Sequence, residues 1–304
     1  MVEVSILLLT KNGCSDLSRV LPAVFRQAAA MSFEVIAIDS GSTDGTLELL
    51  REFPVRILYI PPEQFHHART RNFAASHAQG NILTFLSQDA VPASDDWLAA
   101  LVANFEDPQV GAVYGRQFPK PGSSSERRNV FDAIYGDKRT VKDPSCRNEM
   151  GYRFYHFSDV NAAIRRSVWE KTLFPEDLKV FEDLAIAKRI LDDGWKIVYE
   201  PEAAVFHSHT HTTLQLFKRY FDIGYTLKRL RIWDAPGTRK SLLRDGWRML
   251  RRSNASVYSA KSGHPPGNAI GQHIAKSAGL FLGLNQEHLP LALKRHFSAF
   301  RLFG

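Results

Sequence analysis

The chain has 304 residues, 44% hydrophobic and 23% charged, with a formal net charge of +7. That length allows one large domain, or a domain with an appendage, of ordinary soluble composition. The two cysteines, Cys14 and Cys146, exclude a disulfide framework and suit reduced thiols in a cytoplasm, and no segment reaches the roughly 20 apolar residues that span a bilayer.

Met1-Val2-Glu3-Val4 runs straight into an aliphatic stretch, which predicts a first strand and not a signal peptide. Val4 to Leu9 has the pattern of a strand buried on both faces, followed by the polar turn Thr10 to Gly13 and a helix over Leu17 to Ala30. Phe33 to Ile38 reads as a second strand, Leu47 to Phe53 as a helix, Val55 to Ile60 as a third strand and His67 to Ala78 as a helix. Ile82 to Leu86, bounded by Gly80 and Pro92, reads as a buried fourth strand. This alternation predicts an α/β fold with a mostly parallel sheet flanked by helices.

The fourth strand stops on Ser87-Gln88-Asp89. Ligands of open α/β sheets bind at the carboxyl edge, where a carboxylate suits a hard divalent cation that grips phosphate oxygens. The competing reading is an Asp that caps the next turn. Asp39 likewise ends a buried strand, and its loop to Thr46 can hold a base or ribose or simply form a turn, with Asp44 capping the following helix. Arg69 and Arg71 lie just upstream of the fourth strand, and one of the two is expected to face inward, where it would meet a diphosphate.

Gly115 to Tyr155 reads as loop, with Pro119 to Arg128 as a mobile lid or acceptor platform. Phe157 to Trp169 returns to order. Phe181-Glu182-Asp183-Leu184 opens an amphipathic helix, where acidic residues either satisfy the helix dipole or, in the case of Asp183, point into the pocket as a general base. Trp195 to Tyr199 is a further strand. Beyond it His207, His209 and His211 alternate, read as one functional histidine and two incidental ones.

From Lys218 onward 16 Lys and Arg face 4 Asp and Glu, a balance of +12, whereas the preceding residues carry −5. Residues 1–230 form the core domain in this reading and 231–304 a basic helical extension. Lys240 to Arg252 has the pattern of an interfacial helix for anionic lipid, or of a helix packed on the core with a solvated basic face. Ile274 to Leu284 is apolar but too short to span a membrane.

In order, TKNG, AIDSGSTDGT, ARTRN, a strand ending in a carboxylate and a later ED pair resemble glycosyltransferase family 2, the inverting enzymes of GT-A fold, over residues 2 to about 230. FHHARTRN, SQDAVP, FEDLAIAKRILDDGWKIVYEPEAAVFHSH and FKRYFDIG are similar to its rhamnosyltransferase-like branch. The resemblance implies a dTDP-L-rhamnose donor, a saccharide or lipid-linked oligosaccharide acceptor and a Mg²⁺ or Mn²⁺ cofactor. It implies that Thr10 and Asp39 contact the nucleoside, that Arg71 lies against the base or diphosphate, and that Asp89 holds the metal beside Gln88. Asp183 would be the catalytic base and His207 a further metal or diphosphate contact. The family's usual Asp-x-Asp is here Gln88-Asp89-Ala90, which leaves one carboxylate for the metal. The implied setting is a cytoplasmic enzyme, peripheral on the inner face of an anionic membrane.

Two rivals belong to other classes. A nucleotidyltransferase needs a Gly-rich, Arg/Lys-bearing loop after the first strand, for which TKNGCSD is poor. A non-catalytic protein that binds nucleotides or nucleic acid is suggested by the basic tail; nucleic-acid recognition would interleave exposed aromatics with the basic residues, and the tail offers few.

Overall fold

The computed structural model describes residues 2–27, 31–123, 125–242, 244 and 267–303. Four strands open the chain and lie parallel: β1 (Val4–Thr10), β2 (Phe33–Asp39), β3 (Val55–Tyr59) and β4 (Ile82–Ser87), in spatial order β3-β2-β1-β4. Parallel neighbours need crossovers, supplied by α1 (Cys14–Phe25), α2 (Thr46–Arg51) and α3 (His67–Ser76). The aliphatic run of β1 is buried from both sides. Val4, Ile6 and Leu8 share a core with Leu17, Val20 and Leu21 of α1, and Leu7 joins Ile36 and Ala74 in a second core.

Past β4 come β5 (Val91–Pro92), α4 (Trp97–Ala103), β6 (Val110–Phe118), α5 (Ser125–Ile134), β7 (Thr140–Lys142), α6 (Arg147–Met150) and α7 (Tyr152–Tyr155). They are followed by β8 (Asn161–Arg165), α8 (Arg166–Thr172), α9 (Glu182–Asp192) and β9 (Lys196–Phe206). β8 inserts antiparallel between β4 and β6, β6 and β9 pair in parallel, and β5 and β7 both run antiparallel to β9. The first half of the sheet is thus parallel and the second half mixed. Two registers position the site. Leu86 pairs with Asn161 and Val91 with Phe206, so residues just before β8 and just after β9 arrive at the carboxyl edge of β4.

The segment expected as loop from Gly115 to Tyr155 is instead built of the end of β6, α5, β7, α6 and α7. These elements are short, and β7 buries Lys142, whose ammonium lies 4.5 Å from the Tyr114 ring, so its pattern carries no apolar alternation. Pro119 to Ser123 is held against the residues after β9: the Lys120 amide donates to Ser208 Oγ, and Ser123 Oγ donates to the Lys120 carbonyl. Helix α1 starts three residues earlier than Leu17 and ends at Phe25, and β9 extends well past Tyr199.

α10 (Thr213–Arg229) begins with a capping box of Thr212 and Gln215. α11 (Gly267–Leu284) packs against it through glycines: a methyl group at Gly279 or Gly283 would lie 2.2 or 2.0 Å from the carbonyl oxygen of Phe217 or Phe221. α12 (Leu291–Phe297) and the tail follow, and the buried Asp222 carboxylate accepts the amides of Ala299 and Phe300. Most of the basic helix expected over Lys240 to Arg252 lies outside the described residues. Among the described residues no helix is long and apolar enough to cross a membrane.

Candidate active site

A cavity of about 200 Å³ opens at the carboxyl edge of β1 and β4, lined among others by Thr10, Lys11, Arg71, Gln88, Asp89 and Asp159. Phe65 and His67, whose rings meet edge to face at 4.9 Å, line it as well. Burial lowers the His67 pKa to about 4, so its imidazole is neutral at neutral pH.

Asp89 follows β4 and faces the residues after β9. His207 Nε2 lies 3.5 Å from its Oδ1 and His209 Nε2 3.7 Å from its Oδ2, with the two imidazole nitrogens 3.0 Å apart. The pairing of β5 with β9 causes this: continuing the register past Val91 and Phe206 sets residues 207–209 opposite Asp89. The buried His207 is oriented from behind. Its Nδ1 lies 3.0 Å from Gln117 Oε1, and Gln117 Nε2 donates to Tyr135 Oη and Ser158 Oγ. With Nδ1–H on Gln117, His207 Nε2 is left as an acceptor, able to take a hydrogen bond from His209 Nε2 or to ligate a cation beside Asp89. Burial also lowers the His207 pKa to about 4, keeping it a neutral ligand. Ligand atoms of Asp89, His207 and His209 all lie within 4.8 Å of one another, a set that fits a divalent cation accepting nitrogen and oxygen donors. Two histidines, not one, therefore reach Asp89. Lys120 Nζ sits 3.1 Å from Asp89 Oδ2 and 3.4 Å from Asp16 Oδ1.

Arg71 faces inward, as one of the two arginines was expected to, but its guanidinium is committed. Nη1 lies 2.6 Å from Glu182 Oε1, Nη2 3.1 Å from Asp159 Oδ1 and Nε 2.9 Å from Asp159 Oδ2. The surroundings of Arg71 are thus net negative, and it brings no surplus positive charge to a diphosphate. Burial raises the Asp159 pKa to about 6 despite the arginine.

Asp183 stands one residue along α9, partly exposed, outside the lining of the cavity but within electrostatic reach of Asp159, Glu182 and Arg71. Burial first, then the Asp159 and Glu182 charges, hold its carboxyl well above the usual carboxylate range. Phe181, just before the helix, adopts φ +59°, a left-handed conformation rare for a bulky residue. Its ring meets Phe300 of the C-terminal tail at 6.3 Å.

Asp39 and Gln88 are turned to local work. The buried Asp39 carboxylate accepts the amides of Gly41 and Ser42 and the Thr10 hydroxyl, so it shapes its own loop and does not line the cavity. Gln88 Oε1 accepts the Lys11 amide while Nε2 donates to the Lys11 carbonyl, and Gly13 leaves the space it needs: a methyl group there would lie 2.5 Å from Oε1. Asp44 does not cap α2, whose N-cap is Gly45 without a side-chain bond; its carboxylate instead accepts the Thr46 amide and hydroxyl within its own loop and the Cys14 amide that starts α1.

A model of the family described as glycosyl transferase family 2 matches residues 5–173, more than half of the chain. The chain belongs to glycosyltransferase family 2. The transferase is 31% identical over 310 residues to the O-antigen chain rhamnosyltransferase RfbN of Salmonella typhimurium (strain LT2), covering 99% of this chain and 96% of that one. It is 32% identical over 284 residues to the O-antigen chain rhamnosyltransferase WbaN of Salmonella anatum, covering 92% and 88%. Among solved structures, the mannosyltransferase PcManGT of Pyrobaculum calidifontis, in complex with GDP-Man and Mn²⁺, superposes with a TM-score of 0.63 at 18% identity, covering 94% of this chain and 88% of that one. TarS 1–349 of S. aureus with UDP-GlcNAc gives 0.58 at 17% identity, covering 77% and 67%. These solved structures share the GT-A fold with the transferase.

Several site residues escaped the sequence reading of this glycosyltransferase. Asp159 precedes an antiparallel strand, and only the pairing of β8 with β4 brings it to the edge. Lys120 and Gln117 lie within Gly115 to Tyr155, a stretch without periodicity, and nothing in the alternating run of His207, His209 and His211 marks His209. The available signal was the -Ser158-Asp159- step before a short apolar strand, a carboxylate before a strand where Asp89 follows one.

Proposed function

We propose that the transferase moves L-rhamnose from dTDP-L-rhamnose, with inversion, onto a lipid-linked or other saccharide acceptor during O-antigen synthesis. Near-full-length similarity to two O-antigen chain rhamnosyltransferases carries this reading. The site is compatible with it. Asp89, His207 and His209 would hold a divalent cation, and two imidazole nitrogens beside a carboxylate favour Mn²⁺ over Mg²⁺, which prefers oxygen. Such a cation would supply Lewis-acid neutralisation of the departing diphosphate.

The protein's own groups would do the rest. Thr10 and the loop shaped by Asp39 hold the nucleoside, with Phe65 and His67 offering ring faces and edges beside it. Gln88 fixes the turn after β1 to the one after β4, and Arg71 acts as a positioning residue that joins α3, Asp159 and Glu182. Asp183 is the general base: its carboxylate takes the proton of the acceptor hydroxyl as that oxygen attacks the anomeric carbon. Its raised pKa makes it a stronger base than an ordinary carboxylate.

A peripheral membrane location on the cytoplasmic side fits a lipid-linked acceptor, the C-terminal balance of +12 and the exposed Ile274 and Phe281 of α11. Flotation with anionic vesicles tests that element alone. The reaction is tested with a panel of dTDP-, UDP- and GDP-sugars, with and without Mn²⁺ or Mg²⁺, read by turnover and thermal stabilisation. Turnover of a UDP- or GDP-hexose, and none of dTDP-L-rhamnose, would replace the donor.

A further inference from the structure

The charges around the donor site do not balance as the family motif suggests. The site keeps one carboxylate, Asp89, where Asp-x-Asp would supply two, and Arg71 is held between Asp159 and Glu182. Lys11 also lines the cavity, but its ammonium donates to the Ser40 carbonyl. The cation that touches Asp89 is Lys120, at 3.1 Å.

Lys120 is positioned by backbone, not by chance reach of a surface side chain. Its amide donates to Ser208 Oγ, its carbonyl accepts from Ser123, and two residues earlier the Phe118 carbonyl accepts the His207 amide. The lysine is therefore registered against the strand end that carries His207 and His209. Its ammonium shares Asp89 Oδ2 with the approach of His209, and so stands at the carboxylate a divalent ion would use. A divalent ion drawn to Oδ2 would meet the ammonium as a like charge at contact distance, a repulsion that favours one cation there at a time. Asp16, at 3.4 Å and outside the ligand set, gives the ammonium a second anchor at the margin.

We propose that Lys120 is an exchangeable cation of the donor site, holding Asp89 in the free enzyme and, once a divalent ion takes that carboxylate, pairing with the diphosphate of the nucleotide sugar. The proposal rests on the nucleotide-sugar reading above. With its backbone fixed, the displaced ammonium can move only through its own side-chain torsions, so it stays beside the anion that arrives with the metal. Asp89 is in this way never left without a counter-charge, and the lysine adds donor affinity only in the loaded state.

The test uses the full-length chain and Lys120→Met. Mn²⁺ binding without nucleotide is followed by the electron paramagnetic resonance of free Mn²⁺, and dTDP and UDP binding in saturating Mn²⁺ by calorimetry. Loss of a competing, partly buried cation should tighten Mn²⁺ about tenfold, and loss of a phosphate partner should weaken nucleoside diphosphate binding about tenfold. Lys120→Arg should keep both near the parent values. Any outcome other than shifts of opposite sign in Lys120→Met overturns the proposal; a merely structural role would weaken both. If the parent chain binds no nucleoside diphosphate, the nucleotide-sugar reading itself falls, a result distinct from unopposed shifts in the variant.

Discussion

Arg71 and Asp159, 88 residues apart in the chain, meet in a buried ion pair with Nη2 3.1 Å from Oδ1 and Nε 2.9 Å from Oδ2. The first contact is an aligned hydrogen bond and the second an electrostatic approach. Glu182 closes the other side of the guanidinium, so α3, the turn before β8 and the start of α9 are joined at one point.

Removing that arginine leaves two buried carboxylates facing each other. Arg71→Met is expected to destabilise the protein by about 3–5 kcal/mol, read from the midpoint of urea unfolding, because breaking a buried pair strands uncompensated charge. Arg71→Lys should recover part of the loss, since one ammonium cannot reach all three contacts.

Asp183→Asn is expected to lower transfer by about 10² to 10⁴ while leaving nucleotide affinity unchanged, because the group acts on the acceptor hydroxyl. Single-turnover assays beside nucleotide titrations separate the two effects. Retained turnover would remove Asp183 from the role.

The acidic limb of the pH profile should lie above the ordinary carboxylate range. Burial and the Asp159 and Glu182 charges disfavour ionised Asp183, so the active, deprotonated base appears only at higher pH. Glu182→Gln removes one repelling charge and is expected to move that limb of kcat/KM toward lower pH. A limb that stays in place would exclude the coupling.

Gln117→Leu takes away the acceptor that orients His207. Metal affinity is expected to fall about 10- to 100-fold, as when the groups that orient a ligand histidine are lost elsewhere. Mn²⁺ titration checks this, with thermal melting as the control for folding.

Gln88→Glu keeps the size of the side chain but sets an oxygen against the Lys11 carbonyl in place of Nε2–H. A cost of about 1–3 kcal/mol is expected from thermal or urea unfolding, the usual range for a polar group left without its mate.

What the sequence revealed and what it hid follow from geometry. The parallel half of the sheet was legible because β1, β2 and β4 are buried over most of their length and so read as nearly continuous apolar runs. Asp89 and Asp183 were legible as acids at the end of a strand and the start of a helix. Beyond the Ser158-Asp159 step before a short apolar strand, neither the commitment of Arg71 nor the approach of Asp159, Lys120 and His209 has a local signature. Asp159 depends on β8 against β4, His209 on β5 against β9 and Lys120 on β6 beside β9, and a pairing partner far along the chain leaves no periodicity behind.

Phe181 takes up its left-handed backbone directly before the two acids of α9, and its ring is met by Phe300 at 6.3 Å. The segment around Phe300 thereby braces the start of α9 from behind. Loss of the Phe300 ring would be felt as slower turnover in an enzyme that still folds and still holds its nucleotide.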